Sequence, residues 1–157
     1  YGPRQALSNP YTGVCAIFSG RLLNDESPMI FEDGEQTRDF VHVSDIVQAN
    51  LLALETDKAD YEAVNIGTGS PISVSDISLM LAHGLQKDIK PQITGKYREG
   101  DIRHCVADIS RARKLLGYEP KVKLADGIPE LLDWVRQQQA ENTTQATAEL
   151  EQHQLVR

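Results

Sequence analysis

The sequence predicts an α/β domain in which short strands alternate with amphipathic helices. Three observations predict it. Apolar residues recur at helical spacing in several separate segments. Between them lie short β-branched or aromatic runs bounded by Gly, Pro, Asn and Asp. No longer repeat organises the chain. The strands are too few for a self-standing doubly wound sheet, so the chain reads as a helix-rich, α+β-like subdomain that completes something larger.

Taken in order, Asn9-Pro10 supplies a helix entry, and residues 13–24 place Val14, Ile17, Phe18 and Leu22, with Cys15, on one stripe. Met29-Ile30-Phe31 reads as a short strand, closed by Glu32-Asp33-Gly34-Glu35 with Asp-Gly turn chemistry. Residues 40–43 read as a second strand. Ser44 is expected to cap a helix over residues 45–56, with Asp45 in its first turn. Ile46, Val47, Ala49, Leu51, Leu52 and Leu54 cover more than one stripe of that helix, which predicts that it is well buried. Residues 63–66 read as a strand before the Gly67-Thr68-Gly69-Ser70-Pro71 turn, and residues 72–74 as a brief extended piece. Ser75 is expected to cap a helix through Gln86. Residues 91–94 are extended and 95–103 form a polar loop of mixed charge. Asp108 should cap a short helix over 109–116 that stops at Gly117. A last helix runs from about Leu124 to Gln138, with Ile128, Leu131, Leu132 and Val135 recurring on one face. This divides the chain into a domain over 1–138 and a polar tail over 139–157, read as a frayed helix or disorder.

Composition sets the bounds. The 157 residues are 40% hydrophobic and 25% charged, as in a soluble globular protein. A net charge of -7 argues against nucleic acid as the main partner. No apolar run approaches a membrane span and no signal-peptide pattern opens the chain, so a cytoplasmic location is the default expectation. Cys15 and Cys105 lie far apart with no CxxC pattern or Cys/His cluster; two reduced, packed thiols and no metal site are expected. The chain begins at Tyr1 without Met, which reads as a piece of a longer protein or as a processed terminus.

Two segments carry candidate binding chemistry. In Thr37-Arg38-Asp39, Arg38 is a lone guanidinium at a loop-to-strand junction, suited to bidentate recognition of phosphate or carboxylate; alone, it reads as a solvent-exposed or ion-paired arginine beside Asp39. The loop from Lys96 to His104 adds Arg98 and Asp101 around Gly100, so that a guanidinium could meet a phosphate and a carboxylate sugar hydroxyls. Together the two segments read as a split anion clamp. Gly67-Thr68-Gly69 invites comparison with a dinucleotide loop but fails it, because the third glycine position falls on Ile72 and Pro71 interrupts the helix start. His42, in an apolar run, reads as a core histidine, and Asp39 and Asp45 as residues that fix local backbone.

Several motifs now converge in order: Tyr1-Gly2-Pro3-Arg4-Gln5; Phe31-Glu32-Asp33-Gly34 with Thr37 to Asp45; Asn65-Ile66-Gly67-Thr68-Gly69; and Arg98-Glu99-Gly100-Asp101 followed by Ala107 to Tyr118. This set closely resembles the C-terminal, substrate-binding part of the extended short-chain dehydrogenase/reductases, the NAD-dependent nucleotide-sugar epimerases and dehydratases. Within them it is most similar to the nucleotide-sugar 4-epimerases of dTDP-L-rhamnose or UDP-glucose type. The resemblance implies a substrate subdomain joined to the last strand and helices of a Rossmann fold whose N-terminal part is absent. It implies that Arg38 and Arg98 hold a diphosphate, that Asp101 meets the ribose, and that the strand from Met29 to Phe31 offers backbone groups to a pyrimidine base. The expected ligand is a dTDP- or UDP-sugar.

The resemblance also marks an absence. The family's glycine motif for NAD belongs to the N-terminal half, so NAD is expected in the full-length parent and not tightly bound to this chain. Its catalytic Tyr-x-x-x-Lys is missing too: the fourth residue after Tyr1, Tyr11, Tyr61, Tyr97 and Tyr118 is Gln5, Cys15, Asn65, Asp101 and Val122. That leaves no base and no electron sink for 4-epimerisation through a 4-keto intermediate. This chain is therefore expected to be inactive alone, with catalytic residues none. Other readings are a non-catalytic binding or scaffold domain, or a piece of a 4,6-dehydratase or decarboxylase. The parent is expected to be a homodimer, and this chain to self-associate through exposed apolar surface.

Overall fold

Helical spacing of apolar residues produces five helices among the described residues, and they carry the core. The structure, a computed structural model, describes residues 1–7, 13–97 and 99–138. In chain order the elements are α1 (Val14–Leu23), β1 (Met29–Ile30), β2 (Thr37–Asp39), α2 (Val43–Leu54), β3 (Pro71–Ser73), α3 (Val74–Gly84), β4 (Gln92–Ile93), β5 (His104–Cys105), α4 (Ser110–Leu116) and α5 (Leu124–Val135). The expected entry at Asn9-Pro10 and the tail from 139 lie outside the described residues.

Phe18 and Leu22 of α1, Ile77 and Leu81 of α3, and Ile128, Leu131, Leu132 and Val135 of α5 form the main core. Each fully buried Leu or Ile stabilises the fold by about 1.5–3 kcal/mol. A smaller cluster joins Ala49 of α2, Ile109, Ala112 of α4 and Tyr118, with Val64 and Ile66 packed on it. The Tyr118 hydroxyl, fully buried, donates to the Gly67 carbonyl at 2.9 Å. As expected, α4 stops at Gly117, whose φ of 64° is the left-handed turn that glycine adopts without strain.

Two small sheets position the site. Strand β2 is central in one, antiparallel to β3 and parallel to β5, with Arg38 opposite Ile72 and Cys105. The other pairs β1 with β4 in parallel.

Several expectations need correction. The strand lies at Thr37–Asp39, not 40–43, because its partners end opposite Asp39. Beyond it the Val41 carbonyl accepts from the Tyr1 ammonium, and Val43 N donates to Tyr1 O, each at 2.8 Å. Helix α2 therefore starts earlier, and its cap is His42, whose Nδ1 accepts from Ser44 N, not Ser44. Likewise Ser73, not Ser75, caps α3, its hydroxyl accepting from Asp76 N at 3.0 Å. Residues 63–66 form no strand, since none of the described residues offers them a ladder; they pack by side chain instead. Helix α2 is not well buried: only Asp45 and Ala49 are enclosed, and Val47, Leu51 and Leu54 are exposed. Cys15 is buried, but Cys105 is exposed on β5 and does not pack as a core thiol.

Asp45 and Asp39 both fix backbone, though at long range. Asp45, 1% exposed, accepts from Lys121 N at 2.9 Å and Val122 N at 3.1 Å, tying the start of α2 to the approach to α5. No described helix is long and apolar enough to cross a membrane.

Candidate functional site

Alternation along β2 sends Arg38 and Asp39 to opposite faces, and that divides their work. Asp39 turns to the Gly67-Thr68-Gly69 turn. Its carboxylate accepts from Thr68 N and Oγ1, from Gly69 N at 2.9 Å and from Ala107 N at 3.3 Å. A Cβ on Gly67 would stand 2.4 Å from Asp39 Oδ2, so only glycine lets the carboxylate in. These amides form an anion-binding concavity of the kind phosphates use, filled here by an internal carboxylate. The turn does not fit the pyrophosphate of NAD.

Arg38 turns the other way. Its Nη1 donates to the carbonyls of Thr37 at 2.9 Å and Arg103 at 3.1 Å, while Nη2 donates to Asp101 Oδ1 at 2.8 Å. The expected ion pair beside Asp39 is thus a pair with Asp101, contributed by the loop before β5. Side-chain exposures of 25% and 40% make the pair worth on the order of 1 kcal/mol or less, a contact that an incoming dianion can replace.

Both residues open onto a cleft of about 120 Å³. Val14, Ile17 and Phe18 of α1 form one wall, and Met29, Ile30 and Phe31 another; Gln36, Arg38 and Asp101 supply polar groups. Strand β1 meets β4 through Ile30, whose carbonyl accepts from Thr94 N at 2.9 Å. The backbone groups of Met29 and Phe31 therefore point to the opposite edge. One cleft brings together Met29, Phe31, Arg38 and Asp101. Arg98 lies outside the described residues.

Two features escape a sequence reading. Arg103 holds the acidic loop after β1, its Nη1 and Nη2 each 2.7 Å from Glu32 and Asp33 respectively. This bond holds the Asp33 carboxyl below its usual range and raises Arg103 further. The signal was a second arginine in the 96–104 run, with two carboxylates just after β1. The other is the wall made by α1: Val14 and Ile17 carry the helical period of core residues, and periodicity does not distinguish a core from a cleft. His42, 2% exposed, is enclosed as expected, its ring edge-on to Tyr1 at 5.1 Å. His104 Nδ1 pairs with Thr37 Oγ1 at 2.9 Å.

A sequence profile of the GDP-mannose 4,6 dehydratase family matches residues 1–131. The chain belongs to that family. Among relatives, the dTDP-L-rhamnose 4-epimerase of Burkholderia thailandensis is 37% identical over 141 residues, covering 88% of this chain and 38% of that protein. The structure of the Thermotoga maritima UDP-glucose 4-epimerase with UDP-glucose superposes with a TM-score of 0.78 at 42% identity, covering 87% of this chain and 43% of that one. The Methanobrevibacter ruminantium UDP-N-acetylglucosamine 4-epimerase, in complex with UDP-N-acetylmuramic acid, gives 0.80 at 34% identity. Other relatives include a UDP-N-acetyl-alpha-D-glucosaminuronate decarboxylase, and a solved UDP-glucuronic acid 4-epimerase of Bacillus cereus holds NAD. This family member spans about two fifths of the length of the relatives it matches.

Proposed function

We propose that this chain is the nucleotide-sugar-binding portion of an NAD-dependent 4-epimerase acting on a dTDP- or UDP-hexose. The observation that carries the reading is the convergence of Met29, Phe31, Arg38 and Asp101 on one cleft, from three separate segments. In this reading the guanidinium of Arg38 leaves Asp101 for the diphosphate, joined by Arg98, and the freed carboxylate of Asp101 accepts from the ribose hydroxyls. The edge of β1 meets the base. Each charge-assisted hydrogen bond contributes roughly 1.5–3 kcal/mol.

Proton abstraction and hydride transfer are assigned to segments of the parent that these residues do not include. No tyrosine here has a lysine four positions on, and the amides of the Gly67 turn are taken by Asp39. The chain therefore binds without turning over. Incubated with NAD and UDP-glucose or dTDP-L-rhamnose, it forms no 4-epimer, while equilibrium dialysis shows nucleotide retained. Turnover by these residues alone would defeat the reading. Adding the remainder of the parent should restore it.

The exposed stripe of α2, Val43, Val47, Leu51 and Leu54, recurs at helical spacing. It is the surface through which this chain self-associates, and in the parent we assign it to packing against the cofactor-binding half.

A further inference from the structure

Gln36 is 94% buried in a wall of the cleft, and neither half of its side chain serves the core. Its Nε2 donates to the Phe31 carbonyl at 2.8 Å, spanning the turn between β1 and β2. Its Oε1 is enclosed with no protein partner, which is costly unless the amide itself is needed. Its own backbone carbonyl accepts from Val74 N at 2.9 Å, so the side chain springs from a point anchored to the start of α3. What Gln36 immobilises is the carbonyl just past β1, which like that of Met29 points away from β4 and belongs to a residue that lines the cleft.

We propose that Gln36 is a positioning residue that sets base selectivity by fixing the Phe31 carbonyl as an acceptor. A carbonyl oxygen has two lone pairs. With one taken by Gln36, the group cannot swing away, and in this proposal the other is offered to the ligand together with the Phe31 N–H. An acceptor next to a donor on a rigid edge matches an imide, which presents N–H beside C=O. Uracil and thymine carry that pattern; cytosine presents an unprotonated ring nitrogen beside an amino group and opposes it at both positions. The inference rests on the reading of the cleft as a nucleotide site.

The test is a calorimetric titration of the full 157-residue chain with UDP and with CDP, for the unaltered protein, Gln36→Leu, Gln36→Glu and Arg38→Ala. The unaltered chain should prefer UDP at least tenfold. Gln36→Leu should lose about tenfold for UDP with little change for CDP, so that the preference collapses. Gln36→Glu, which keeps the shape but cannot donate when ionised, should be as weak for UDP at pH 7 and recover as pH falls toward 4. Should Gln36→Leu not fold, Gln36→Glu carries the test. Arg38→Ala should weaken both nucleotides alike. If UDP and CDP weaken together in the Gln36 variants, or neither changes, the inference is wrong while the nucleotide site stands. If the unaltered chain binds neither, the functional reading fails and the inference with it.

Discussion

Arg38 and Asp39 are neighbours with unrelated partners, and the contrast shows how one short strand serves both binding and fold. Arg38 is held by two carbonyls and one exposed carboxylate, all replaceable. Asp39 closes the Gly67 turn through four donors from two distant segments. Asp39→Ala should therefore cost about 3 kcal/mol in stability, because it leaves partly buried amides unpaired; denaturant unfolding measures it, and a loss under 1 kcal/mol would contradict the assignment. Alkaline pH should also destabilise the chain. Burial lifts the Cys15 thiol from 9.0 to about 12, and burial with nearby carboxylates lifts the Tyr118 hydroxyl from 10.0 to about 12. Both groups are held protonated by the fold, with folded values above unfolded ones. Their contribution is complete below pH about 9 and is lost as pH rises toward 12. Melting temperature should stay level from pH 7 to 8.5 and fall steadily from 9 to 11. No alkaline fall would show that neither group is buried as described.

At the scale of elements, α2 departs furthest from its sequence. Apolar residues on more than one stripe predict enclosure, yet the described residues cover only the Ala49 side. A double substitution Val47→Lys and Leu51→Lys should leave melting unchanged within about 1 kcal/mol, since both side chains are exposed. It should also abolish self-association in sedimentation velocity. Persistence of the same oligomers would remove α2 from that role. The helices themselves were legible because a 3.6-residue period survives any tertiary context; Ile128, Leu131, Leu132 and Val135 are buried as their spacing demands. Caps and strands were less so. Ser44 and Ser75 had the right chemistry, but tertiary contacts moved each helix start two residues earlier, to His42 and Ser73. A strand is made by its ladder, so residues 63–66 could not be judged without knowing what lies beside them.

For the whole molecule, two apolar clusters and two small sheets leave a chain that holds a cleft but contains no Tyr-x-x-x-Lys. Family membership is carried by residues 1–131, and the chain spans about two fifths of the length of the relatives it matches. The site was legible in outline because its charged residues sit in ordered motifs. Its walls were not, because Val14, Ile17 and Gln36 reach the cleft only through the packing of α1 and the turn after β1. The central claim is that this cleft holds a nucleoside diphosphate sugar through Arg38. Calorimetric titration of UDP-glucose into the unaltered chain and into Arg38→Ala tests it most directly. The account predicts saturable binding that weakens about 10- to 100-fold in the variant, the equivalent of one or two charge-assisted hydrogen bonds, with a melting temperature lowered by no more than a few degrees. Equal affinity in both proteins, or no binding by the unaltered chain, would contradict it.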